Sequence, residues 1–280
     1  NLLNSNFGKY FMRAIMAGFF IDVAMIYSNV VGNVFSKTFP EWGKFLGAIV
    51  FSIAVLLIAM VGGELFTGNN LVMAFGAYDK SVSWKDVGKV WGISYIGNFV
   101  GCLILALIFV GAGASGTADY FAGFINGKLS IPAGQMFFRA VLCNFFVCLA
   151  VLCGIKLKSE SGKFLMIVIC ISGFVVSGFE HCIANMGIFT VAFCVSSAIF
   201  EISEATTAKP LPASPARAAS ILALSARRLV CDVISVIIST IEFIFAISSL
   251  RSESCLVTAL PDSTDSLTLL TSIATFLLPF

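Results

Sequence analysis

Apolar residues run along this chain in stretches of roughly twenty or more, the length that crosses a bilayer, separated by short polar joints. The pattern predicts membrane segments at residues 10–35, 44–78, 87–112, 135–155 and 163–199. Two of them are not clean helices. In the second, an apolar run over 45–61 meets Gly62-Gly63-Glu64-Leu65-Phe66-Thr67-Gly68-Asn69-Asn70 before apolar residues resume at 71–77. In the fifth, Ser177-Gly178-Phe179-Glu180-His181-Cys182-Ile183-Ala184-Asn185-Met186 sits between charge-free flanks. Glycines, carboxamides and a carboxylate inside a span predict an interrupted helix in each case. The third segment carries Gly97-Asn98-Phe99-Val100-Gly101, small residues that allow close helix contact. Between segments three and four, residues 113–132 read as a polar, glycine-rich loop with Asp119 and Lys128; Asn144 lies inside segment four. Trp42, Trp84 and Trp91 fall near span ends, where interface anchors belong.

Composition sharpens this to an all-α polytopic membrane protein. The chain is 59% hydrophobic and 11% charged, against about 25% charged in a soluble domain. No basic tract offers a nucleic-acid surface. Seven of the nine cysteines, from Cys102 to Cys194, lie in apolar stretches without a Cys-x-x-Cys pair and read as small hydrophobes. A single histidine excludes the usual catalytic zinc set and bis-histidine haem ligation, so neither a metal nor another cofactor is expected. The chain opens at Asn1 with no signal-peptide pattern over 1–8 and reads as truncated at its start. Lys9, Arg13, Lys80, Lys85, Lys89, Lys156, Lys158 and Lys163 fall on one side, against Lys37, Lys44, Lys128 and Arg139 on the other. That bias predicts a cytoplasmic N-terminus in a plasma (inner) membrane.

The two halves repeat. Residues 11–24 align without gaps onto 137–150, with Phe11, Arg13, Ala14, Phe19, Phe20 and Ala24 matched identically by Phe137, Arg139, Ala140, Phe145, Phe146 and Ala150. The breaks also correspond, since Glu64 and Asn69 share the Glu-x4-Asn spacing of Glu180 and Asn185. Three spans separate the copies, so the second enters the membrane from the opposite side. An inverted repeat of three-helix halves, broken in the second and fifth helices, places a permeation site at mid-membrane, with positive half-helix ends turned toward an anion. Irregular backbone at that depth must line a cavity or be buried in protein. Glu64, Glu180, Gly63 and Asn69 then read as architecture of the breaks, Glu180 by accepting backbone N–H groups. His181 occurs in one half only and is the better candidate for chemistry.

Gly63-Glu64-Leu65-Phe66-Thr67, together with residues 178–186, resembles the formate/nitrite transporter family, and within it the hydrosulfide-channel branch. The likeness covers about residues 7–194. It implies an aquaporin-like fold of six spans and a homopentamer in the lipid bilayer with one pore per protomer. The implied substrates are small monovalent anions of weak acids: hydrosulfide first, with formate and nitrite. By the same likeness, His181 is the pore histidine, with Glu180 and Asn185 beside it. Thr67 is the hydroxyl partner, Lys128 the lysine before the fourth helix and Asn144 the fourth-helix asparagine. The apolar constrictions fall on Leu65 and Phe66 on the cytoplasmic side and on Phe51 and Phe174 on the other, with Val55 at a further constriction position.

Past Cys194 the motif likeness ends. No glycine follows Gly187, although the family's sixth helix would carry a small-residue motif like that at Gly97 and Gly101. Residues 200–280 read as an atypical tail of foreign origin, by frameshift or fusion, with one possible span at 229–250 that contains Asp232 and Glu242.

An anion loses several kcal/mol of hydration on entering an apolar constriction, and a weak acid avoids most of that loss by crossing as the neutral acid. Lys128 would attract the anion, and His181 and Thr67 would hydrogen-bond it and help it gain a proton. A different class of function is an intramembrane enzyme using Glu180, His181 and Cys182. Adjacent helical residues point about 100° apart and no third orienting group is evident, so an enzyme is not expected. An aquaporin-type neutral-solute channel shares inverted repeats and paired asparagines, but the Asn-Pro-Ala signature is absent.

Overall fold

The computed structural model describes residues 2–113 and 118–206. Its described elements are helices: α1 (Leu2–Ser5), α2 (Phe7–Ser36), α3 (Pro40–Phe51), α4 (Ile53–Leu57), a π-helical turn (Ile58–Gly62), α5 (Phe66–Tyr78), α6 (Trp84–Gly111), α7 (Ala118–Leu129), α8 (Ala133–Lys156), α9 (Glu160–Val176) and α10 (Cys182–Thr206). Among the described residues four stretches are long and apolar enough to span a membrane: Phe7–Ser36, Glu41–Gly62, Trp84–Gly111 and Ala133–Lys156. The proposed span at 229–250 and the rest of the tail from residue 207 lie outside the described residues.

Polar caps set where the long helices begin. Asn6 Oδ1 accepts from Lys9 N at 2.9 Å before α2, and the Ser83 and Ser159 hydroxyls accept from Asp86 N and Gly162 N before α6 and α9. Asp86 and Glu160 then lie in first turns, where carboxylates favour the positive helix end. These caps carry helices a few residues beyond their apolar runs.

Small residues decide how closely helices approach. A Cβ on Gly18 or Gly101 would overlap the backbone of Asn98 or Ile15, so α2 and α6 meet backbone to backbone. Gly43 and Gly47 bring α3 onto Ser36 and Ser28 of α2, where Ser28 Oγ donates to Gly47 O at 2.7 Å. One continuous apolar core links α2, α3, α4, α6, α7, α8, α9 and α10.

Both predicted interruptions are present, and the first is shorter than expected. Backbone at residues 63–65 leaves the helix, but Phe66, Thr67, Gly68, Asn69 and Asn70 already form the start of α5. Asn69 N bonds Leu65 O at 2.9 Å and its Nδ2 bonds Tyr10 Oη at 3.0 Å. Tertiary bonding overrides the weak helix propensity of this run. The connection expected to be a polar loop contains α7 instead. Phe121 and Ile125, one turn apart, bury one face of α7, and Lys128 follows at the next position of that i, i+4, i+7 stripe. Trp42 and Trp84 are exposed near helix starts, as interface anchors would be, whereas Trp91 packs against Tyr10 and Val90 two turns inside α6.

Candidate functional site

The two breaks share one clasp. Arg13 Nε donates to Gly62 O at 2.5 Å while Glu64 N donates to Arg13 O at 3.1 Å. At the matched positions Arg139 Nη1 donates to Gly178 O at 3.4 Å and Glu180 N to Arg139 O at 3.4 Å. Gly62 and Gly178 have φ of +90° and +73°, a region glycine enters without steric cost. Each helix also closes with a bond to the fifth preceding residue, Gly63 N to Ile58 O and Phe179 N to Phe174 O. Arg13 and Arg139 therefore hold the breaks, a role that their identity in the repeat signals.

Beyond the clasp the breaks differ. At the first, Asn98 of α6 donates to Ala14 O at 2.7 Å and Glu64 O at 3.1 Å, and its Oδ1 accepts from Phe66 N at 3.0 Å. Glu64 lies only loosely beside Arg13, at 3.9 Å. At the second, Lys128 Nζ donates to Glu180 Oε2 at 2.5 Å, and both side chains are largely buried. Glu180 was expected to accept backbone N–H groups, and Lys128 to stand ready for the anion. The geometry pairs them instead, because α7 turns Lys128 inward beside the second break.

His181 takes the capping role. It precedes α10, and its Nδ1 accepts from Ala184 N at 3.2 Å, satisfying one of the first-turn amides. With Nδ1 an acceptor, the neutral ring carries its proton on Nε2, which donates to Thr67 Oγ1 at 3.2 Å. Thr67 is fully buried in the first turn of α5, so this bond joins the two breaks across the centre of the protein. Phe174 stacks on His181 at 6.0 Å between ring centroids, and Phe51 meets Phe174 edge-on at 6.2 Å.

A cavity opens on each side of this junction. One, of about 630 Å³, is lined by Phe51, Phe174, His181 and Asn185, and by Lys44, Lys128, Arg139 and Glu180. The other, of about 620 Å³, is lined by Val55, Gly63, Leu65 and Asn69, with Glu160 and Lys163 paired at 2.8 Å. The two asparagines of the Glu-x4-Asn motifs thus line opposite cavities. Phe66, Thr67 and Asn144 line neither of them. Phe66 packs edge-on against Tyr95 at 5.2 Å, and buried Asn144 donates to Cys148 Sγ at 3.6 Å. Gly187 faces the fully buried carboxyl of Asp22 rather than either cavity. Among the described residues no three His, Cys, Asp or Glu side chains are grouped to hold a metal.

The family model described as formate/nitrite transporter matches residues 2–214, continuing past Cys194 where the motifs run out. The chain is 32% identical over 198 residues to the uncharacterized transporter YwcJ of Bacillus subtilis, covering 70% of this chain and 77% of that one. It is 30% identical over 190 residues to the nitrite transporter NirC of Escherichia coli, covering 66% and 68% of the two chains. A solved pentameric formate channel with formate bound superposes with a TM-score of 0.72 at 25% identity, covering 90% of this chain and 99% of that one.

Proposed function

The chain belongs to the formate/nitrite transporter family, and we propose that it passes small monovalent anions of weak acids through a pore in each protomer of a homopentamer. It is a membrane transport protein rather than an enzyme. The substrates proposed are formate, nitrite and hydrosulfide. The names of its relatives favour the first two, and the motif likeness brings in the third. The same reading puts the protein in the plasma membrane with its Lys/Arg-rich N-terminal side in the cytoplasm.

One observation carries this reading: the His181–Thr67 bond links a cavity lined by His181, Phe51 and Phe174 to a second cavity lined by Leu65 and Gly68, which flank Thr67. An anion in the Lys128-side cavity meets Lys44, Lys128 and Arg139 against a single carboxylate, Glu180. Beyond Phe51 and Phe174 it loses water, and a charge without water is costly there. Gaining a proton removes that cost. Thr67, buried behind the cavity wall, accepts from His181 and fixes the ring where it lines the cavity. For the ring to pass its Nε2 proton to the anion, Nδ1 must take a hydronium proton from the cavity as its bond from Ala184 N opens, so that the ring stays neutral. The neutral acid then leaves between Leu65 and Val55.

Flux of formate, nitrite and hydrosulfide into proteoliposomes, measured side by side, tests this. Flux at fixed total anion should rise as pH falls, and His181→Ala should lower it by about a hundredfold, the scale of a lost proton-transfer group. Undiminished flux in that variant removes His181 from the mechanism.

A further inference from the structure

The cations around the Lys128-side cavity are unequal. Lys128 is bound to Glu180 at 2.5 Å with side-chain exposures of 13% and 5%, so its charge is largely cancelled where it stands. Arg139 spends its guanidinium on Gly178 O, holding the second break. Lys44 is different. It lies in the first turns of α3, it lines the same cavity, it is exposed, and it has no carboxylate within 4.0 Å among the described residues. Glu41, one turn earlier and also exposed, makes no ion pair with it. The opposite cavity carries no comparable surplus, because its Lys163 is paired with Glu160.

Resting on the anion reading above, we propose that Lys44, rather than Lys128, is the residue that captures the anion at this mouth of the pore. A free ammonium facing an open, water-filled cavity attracts anions without having to break an existing ion pair. Lys128 would first have to release Glu180. Lys44 thus sets the half-saturating concentration from this side, while Lys128 positions the second break beside His181.

Formate flux into proteoliposomes is to be measured against formate concentration for the parent chain, Lys44→Ala, Lys44→Arg and Lys128→Met. At about 10 mM salt, Lys44→Ala should raise the half-saturating concentration roughly threefold, the effect of one unit charge a few ångströms away in water, with maximal flux unchanged. At about 0.5 M salt the shift should vanish through screening. Lys44→Arg should behave like the parent. Lys128→Met should change maximal flux or assembly with little dependence on salt. A Lys44→Ala curve identical to the parent at low salt, or a defect equally large at both salts, overturns the assignment. Absence of flux from the parent with all three anions instead removes the transport reading, and this inference with it.

Discussion

The two helix breaks have the same backbone and different chemistry. Each has an arginine on a glycine carbonyl, a glutamate amide on the arginine carbonyl, and a glycine at positive φ. The first break is then stitched by the neutral amide of Asn98 and leaves its glutamate part-exposed beside Arg13. The second carries a buried ion pair and a histidine as its cap. Duplicating the clasp duplicates the site where helix ends meet at mid-membrane. Placing charge and a titratable ring on one copy makes the two breaks chemically unequal.

The largest contrast should come from removing the two matched carboxylates. Glu180→Ala strands Lys128 in a buried position and should cost about 3–5 kcal/mol. Glu64→Ala removes a loose, part-exposed pair and should cost under about 1 kcal/mol. Thermal unfolding of the purified assembly in detergent measures both. Equal losses would mean that the breaks are energetically alike and that the difference drawn here is only geometric.

Asn98→Ala sharpens the other side of the comparison. It removes three hydrogen bonds around Ala14, Glu64 and Phe66 and leaves buried backbone groups unpaired, a loss of about 3 kcal/mol. Hydrogen exchange should show faster amide opening at Phe66 and the following turn, with α10 protected as before. Exchange that quickens equally after the second break would show the two halves to be one cooperative unit.

The smallest effect belongs to the bond that joins them. Thr67→Val keeps the shape and leaves the Nε2 proton of His181 without an acceptor, at about 1–2 kcal/mol. Anion flux should fall by roughly tenfold, the kinetic equivalent of that energy. Flux at the parental rate would show that the hydroxyl's hold on the ring does not govern transport.

Much of this was readable along the chain, for a physical reason. A bilayer forces long apolar helices, so the four spanning stretches among the described residues announce themselves by hydropathy. It also makes interruptions expensive, so the residues around Glu64 and Glu180 stand out against their surroundings. The matched Arg13 and Arg139 were visible in the repeat, though their clasp on the glycine carbonyls was not. The short helix α7 is not legible in the sequence because its signal is only one turn of apolar residues, Phe121 and Ile125, within glycine-rich sequence.

What the sequence alone determined is the helical, membrane-embedded class, the position of both breaks and the identity of the polar residues carried into them. Which group each of those residues meets was decided by tertiary structure. Lys128 lies more than fifty positions from Glu180 and Thr67 more than a hundred from His181, so no local periodicity relates them. Packing chooses among the partners for a reason of desolvation. Once α7 and α10 close around the second break, the buried carboxylate of Glu180 takes the ammonium of Lys128, and the histidine is left to cap the helix and line the cavity.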